Sequence, residues 1–432
     1  MTQEPLHLGA LPPELFDKTF LELDTIRDLA NFIVTARFVY HRFRARRRTI
    51  LFRVLQNELG PALPDARFLF VFPYSDPADE VRYYDGIYVM AGVYRDMLPG
   101  GERQGVLPGG QGVRGDPGPP TVKELTELCR TLHLINFITD TYVAVQLASF
   151  DLVGGGGTPA TAPLSRLERR RVMRAFYRLQ IVSNAWASTR RPAYWDDLDS
   201  NAFSNTSTEQ GQSLGLFAAF DPWDMQHIDH ANYFVMHLCC ALVHRAADVA
   251  AGGGHEISPH QFGNLHAHLH HLVRYLRAYR GVAKAAVGDL QSGKSLPDDE
   301  RLQKEFVDKY ELLPLTSYWQ KHRSQSFPDP ILDRQEQDGL LMDSFVGDGP
   351  GQVPFGWSDA LRGRYVHWYG AGLRDIPLVP PWESREKGWA HVSVIELWRL
   401  SGFALWDRNR VEALKRLRRF EALQTGFVLD RS

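Results

Sequence analysis

Long apolar runs are missing from this sequence. No stretch approaches the ~20 residues that a membrane-crossing helix needs, and the opening MTQEPLHLGALPPEL has no basic region followed by an apolar one. Without a membrane span or a secretory signal, the expected location is the cytoplasm or the nucleus. Cysteine is scarce too. Cys129, Cys239 and Cys240 are odd in number and two are adjacent, so no disulfide framework is expected, in keeping with a reducing compartment. Charge of one sign is equally lacking: 49 Lys and Arg nearly cancel 51 Asp and Glu, leaving no bulk charge to draw nucleic acid or a membrane surface. There is no Gly-x-Ser-x-Gly, no His-Glu-x-x-His, no cysteine with an identifiable base and no internal repeat. These absences leave no catalytic constellation, so no catalytic residue, metal ligand or cofactor is assigned.

Apolar residues make up 44% of the 432 and aromatics 12%, which excludes global disorder and permits a sizeable buried core. Their spacing is helical. Residues 121–150, 164–188, 222–250, 259–284, 298–313 and 391–424 carry apolar positions three and four apart. Only Arg67 to Val89 has an aromatic and β-branched, strand-like character, and Pro73 interrupts it. Gly- and Pro-rich stretches near 98–120 and 154–163 read as loops. The expected class is all-α with room for one small β-hairpin. Two parts are expected, a short helical segment over 1–60 and a larger helical domain over 61–432. Trp186, Trp223, Trp389, Trp398 and Trp406 are expected mostly in the core of the latter.

The segment from Leu11 to Gly60 is the most informative. Pro12 and Pro13 suit a first helical turn, where their missing N–H groups are not needed. Leu15, Phe16, Thr19, Phe20 and Leu23 then share one arc of an amphipathic helix. Asp24 or Thr25 can cap a second helix with Ile26, Leu29, Ala30 and Ile33 in a stripe. A third carries Val39, Phe43, Ile50 and Val54 on one side and stops at Gly60-Pro61.

The pattern Leu11-Pro12-x-Glu14-Leu15-Phe16-x-x-x-Phe20-x-x-Leu23-Asp24, then Leu29, then Val34-x-x-Arg37, resembles the F-box. In that family a three-helix module binds the small adaptor of a cullin–RING ubiquitin ligase, and the rest of the chain holds the substrate protein. The resemblance implies that Leu11, Pro12, Leu15, Phe20, Leu23 and Leu29 bind this partner. Two positions depart from the family's habit: Thr19 stands in place of an aliphatic residue, and Tyr40 in place of the commoner Trp. Later blocks resemble a family of fungal F-box-like proteins. They are Glu168 to Gln180 with Asn184, then Phe220-x-Pro222-Trp223, then Arg399 to Arg408 with Gly402 and Trp406 inside. That likeness implies a domain order and no known reaction.

Three further features call for a chemical reading. Arg42, Arg44, Arg46, Arg47 and Arg48 crowd one stretch but point around most of a helical wheel, which suits a solvated helix better than a phosphate-tracking face. Arg171, Arg174 and Arg178 share one stripe and read as the polar face of a core-packed helix. Ten of the 16 histidines lie between 227 and 271, and His266 with His270 has the i, i+4 spacing that can bring two imidazoles to one metal. Gly288-Asp-Leu-Gln-Ser-Gly293-Lys294-Ser295 matches the phosphate-loop spacing, yet Tyr275 to Val287 before it reads as a helix tail rather than a buried strand.

Three readings follow. The leading one is a non-enzymatic interaction protein, an adaptor that recruits a substrate protein to the ligase. The second is a helical scaffold whose F-box-like helices are sealed against its own later helices. The third is an enzyme using metal or nucleotide at the His227–His271 cluster or the Gly288–Ser295 loop.

Overall fold

A computed structural model describes residues 12–72, 89–94, 119–154, 159–185, 222–250, 268–292 and 405–416, with a few isolated positions besides. Among these the protein is all-α, and no strand occurs. In chain order the helices are α1 (Pro13–Glu22), α2 (Ile26–Ile33), α3 (Arg37–Ala45), α4 (Arg47–Leu59), α5 (Leu63–Val71) and α6 (Val122–Gly154). Then come α7 (Arg166–Ala185), α8 (Pro222–Ala250), α9 (Leu269–Ala278), α10 (Arg280–Gln291) and α11 (Arg408–Arg416). The expected helices at 121–150, 164–188 and 222–250 thus appear with nearly the expected bounds. The stretches 98–118 and 298–313 and most of 391–424 lie outside the described residues.

The strand-like reading of Arg67 onward is overturned where it can be seen. Leu63–Val71 is a helix started by Pro64, and Asp65 to Leu69 are buried in unbroken succession. A helix enclosed on all sides loses its polar face, so its short apolar run looks like a buried strand. The remainder of that stretch, 73–88, lies outside the described residues.

Local signals account for the ends of several elements. Thr25 caps α2 by accepting the Asp28 N–H at 3.0 Å, which leaves Asp24 to pair with Arg166 at 2.7 Å. Ser165 and Glu168 form a capping box on α7: Ser165 Oγ accepts the Glu168 N–H, and Glu168 Oε2 accepts the Ser165 N–H. Gly60 ends α4 with φ of 51°, a left-handed conformation that glycine adopts without a Cβ penalty. Two expected single helices are broken in the middle, at Arg46 between α3 and α4 and at Tyr279 between α9 and α10. The break at Arg46 lets Arg42 and Arg46 both reach Asp17 on α1 while α4 turns back across α1 and α2.

Two hydrophobic cores result. The larger gathers α5 to α11. Leu125, Leu128, Leu132, Ile135, Ile138, Tyr142 and Val145 form its stripe on α6, and α8 runs through it against α7 and α10. Trp406 is fully buried there, while the side chains of the other four tryptophans named above lie outside the described residues. The smaller core belongs to α1–α4: Phe16, Phe20, Leu29, Val39, Phe43, Ile50 and Val54. Helix α4 serves both, turning Ile50 and Val54 to the small core and Leu55 and Leu59 to the large one. No described helix is long and apolar enough to cross a membrane.

Candidate functional site

The small core decides where the residues expected to face a partner point. Phe20 has 0% of its surface exposed; its ring packs edge-on to Phe32 and near Phe43. Leu29 is buried in the same core and Leu23 packs half-buried against it. Phe20 and Leu29 therefore cannot present a partner-facing surface, because the module is built around them. Pro12 and Leu15 do face solvent, Leu15 with 48% of its surface, and Leu11 lies outside the described residues. Thr19, placed by its spacing inside the apolar arc, is exposed and returns its hydroxyl to the Leu15 carbonyl at 2.8 Å. Its departure from the family's aliphatic residue thus costs the core nothing.

Around Leu15 the module exposes more apolar surface than the motif alone indicated. Phe16 packs against Phe32 and Phe38, drawing the first half of α1, the end of α2 and the start of α3 to one edge. Val34, at the α2 C-cap, is 80% exposed, and Phe38 is exposed as well. Val34 is part of the Val-x-x-Arg turn in the motif; what spacing could not tell is that its side chain points outward.

A polar seam joins the module to the larger body. Asn57 donates to the carbonyls of Leu21 and Leu23, closing the end of α1 onto α4. Glu58 accepts the Ile26 N–H with one oxygen and the Asn136 amide with the other, linking α2 to α6 through α4. From α7, Arg166 and Arg170 reach the Asn57 carbonyl. These contacts orient the module while the two apolar cores stay distinct.

The arginine stripe on α7 is the polar face of a core-packed helix, and its partners are buried with it. Arg178 is 1% exposed and, with the half-buried Arg174, belongs to an internal ionic network. Arg178 Nε lies 3.0 Å from Asp65 on α5 and another guanidinium nitrogen 2.5 Å from Asp224 on α8. Arg174 stands 3.1 Å from Asp65, Tyr94 donates to Asp65, and the Arg178 guanidinium lies over the Phe220 ring at 5.1 Å. Burial pushes the Asp224 carboxyl up, but Arg178 and Arg174 outweigh it and hold the group well below the usual carboxylate range. A second network clamps the C-terminal block to α7. Glu168 takes Arg410 at 2.9 and 3.0 Å and the Asp407 N–H at 3.0 Å, and Arg171 pairs with Asp407 at 3.0 Å. The described parts of the three blocks behind the fungal resemblance thus meet around α7.

Gly402 belongs to the last of those blocks. Its φ is 68°, and a Cβ there would stand 2.8 Å from His230 Nε2 and 3.0 Å from the Tyr142 hydroxyl. Both neighbours are buried and cannot swing aside into solvent. Gly402→Ala is expected to cost about 2 to 3 kcal/mol, from the left-handed backbone and the overpacking together. A denaturant midpoint within about 0.5 kcal/mol of wild type would contradict this packing.

No described chemistry assembles around the remaining candidates. His268, His270 and His271 adjoin one another, but no group of three or more His, Cys, Asp or Glu among the described residues is placed to hold a metal. Burial lowers His268 and His237 to about 4, which keeps them neutral at physiological pH. His266 lies outside the described residues. In the phosphate-loop match, Gly288–Gln291 forms the last turn of α10, so its N–H groups bond within the helix, and Asp289 is held by Arg245 at 2.5 Å. As expected, a helix tail precedes it; Gly293 to Ser295 lie outside the described residues. Burial pushes the Cys129 thiol up to about 11 and Cys240 up to about 12, far from the thiolate a nucleophile requires.

The described site is therefore a small helical module with its own core, an exposed apolar edge and a polar seam to a larger helical body. No protein-family model, curated protein or solved structure matches this chain.

Proposed function

We propose that this chain is a non-enzymatic protein-interaction protein. Its helices α1–α4 dock the small adaptor of a cullin–RING ligase, and the larger helical body holds a substrate protein. The observation that supports this reading is that α1–α4 are built around their own core and leave Leu15, Val34 and Phe38 outside it. Bulky apolar side chains left exposed on a small module are costly to leave in water and favour association. The scaffold reading expects the same helices to be sealed against later ones. That sealing is absent at Leu15 and Val34 among the described residues, so the docking reading is preferred.

The test is recovery of ligase subunits on tagged full-length protein, comparing wild type with Leu15→Asp/Val34→Asp. Both substitutions fall on exposed positions, so the melting temperature should stay unchanged. Wild type is expected to retain the adaptor and cullin, and the variant to lose them at least tenfold. A folded wild type that retains neither subunit would return the module to a purely architectural role.

A further inference from the structure

The five arginines between 42 and 48 are not equivalent once the chain is folded. Arg42 and Arg46 pair with Asp17, and Arg48 donates to the carbonyls of Pro119 and Pro120. Three of the five are committed internally. Arg44 and Arg47 are exposed, and no described carboxylate pairs with either. Both line a cavity of about 610 Å3 where α3 and α4 meet α6. Phe43, Leu51, Leu125 and Cys129 form its apolar lining, and Tyr40, exposed, stands beside the arginines. Arg130, which also lines it, is balanced by Glu127 at 2.5 Å. The carboxylate of Glu58, close enough to influence Cys129, is already engaged by the Ile26 N–H and Asn136.

We propose that this groove is a docking site for an acidic peptide segment of a partner protein, one bulky apolar side chain filling the floor while flanking carboxylates meet Arg44 and Arg47. The volume suits one or two large side chains, and the lining combines an apolar pocket with an aromatic and two arginines, the residue types that dominate interface energetics. Arginine presents a planar fork that matches a carboxylate with two parallel hydrogen bonds. A nucleic acid fits less well. Two uncommitted cations over an apolar floor offer little to a phosphate backbone, whose binding grows with each phosphate neutralised. The groove is lined by neither Leu15 nor Val34, so this site does not rest on the ligase reading.

A random 12-residue peptide-display library selected on the purified full-length protein, with counter-selection on Arg44→Glu/Arg47→Glu, tests the proposal. Enriched peptides are expected to carry Asp or Glu around an aromatic or Leu. By fluorescence anisotropy the double variant should bind them at least tenfold more weakly and bind their Glu→Lys counterparts more tightly than wild type does. Bound peptide should also slow maleimide labelling of Cys129, the one cysteine that is not buried. Arg44→Gln/Arg47→Gln provides a milder pair with the same expected direction should the reversal disturb folding. Binding of the enriched peptides is expected to be unchanged in Leu15→Asp, which separates this site from adaptor docking. No acidic enrichment, equal binding to both charge variants, or tighter arginine-dependent binding of a 12-nucleotide oligothymidylate would each overturn the proposal.

Discussion

Replacing Arg178 by Met should lower the unfolding free energy by about 3 to 5 kcal/mol, because it leaves Asp65 and Asp224 buried without the guanidinium that pairs with both. The shape of the side chain is roughly kept, so the loss reports charge rather than a cavity. Two further results distinguish this cause from general damage. Adding Asp224→Asn to Arg178→Met should recover part of the loss, since one of the two stranded carboxylates is removed. Lowering the pH from 7 toward 5 should also narrow the gap between the variant and wild type. In the variant, burial without Arg178 raises the folded-state carboxyl above its unfolded value, and protonation then favours the folded form. A variant within about 1 kcal/mol of wild type at neutral pH would show that the network is dispensable. The network ties α5, α7 and α8 together inside the larger core.

The second large effect is expected from Glu168→Gln. The carboxylate accepts four donors: Arg410 twice, the Asp407 N–H and the Ser165 N–H. A glutamine has one acceptor oxygen, so its NH2 group must face two of those donors, and Arg410 keeps its charge while only 4% exposed. Arg410 would retain the carbonyls of Ala160, Ala162 and Pro163, which solvate it without neutralising it. A loss of about 3 to 5 kcal/mol is expected, with the first effect at α11. Limited trypsin digestion should cut at Arg408 to Arg416 in the variant under conditions where the wild type survives. If digestion of the variant proceeds at the wild-type rate and the melting temperature holds, the clamp is not what keeps α11 in place. In that case the burial of Trp406 and Leu414 would suffice.

Much of the helical architecture is legible in the order of the residues. The apolar spacing at 121–150 and 222–250 has a period that only a helix satisfies, and local chemistry marks several ends, with Thr25 and Gly60 acting as the caps their types favour. What spacing could not supply is which side of a helix meets which neighbour. Thr19 and Phe20 sit on the same arc of α1, yet one is exposed and the other wholly buried, because the packing of α2 and α3 and not the wheel decides the boundary. The arginines of α7 read in one dimension only as the polar face of a packed helix, with no sign of what they pair with. Their partners, Asp65 and Asp224, are 109 and 46 positions away from Arg174 and Arg178 respectively, so the pairing exists only after folding.

The chain by itself determined an all-α protein that opens with short helices, since helix periodicity, the Thr25 cap and the Gly60 stop signal act over a few residues at a time. The tertiary structure alone decided that this opening has its own core, that Phe20 and Leu29 fill it, and that Leu15 and Val34 stay outside. It also decided that Arg44 and Arg47 are left uncommitted at a groove while their neighbours are paired. The physical reason is the same in each case. Burial and charge pairing depend on residues far apart in sequence being brought within a few ångströms, and no local pattern encodes that distance.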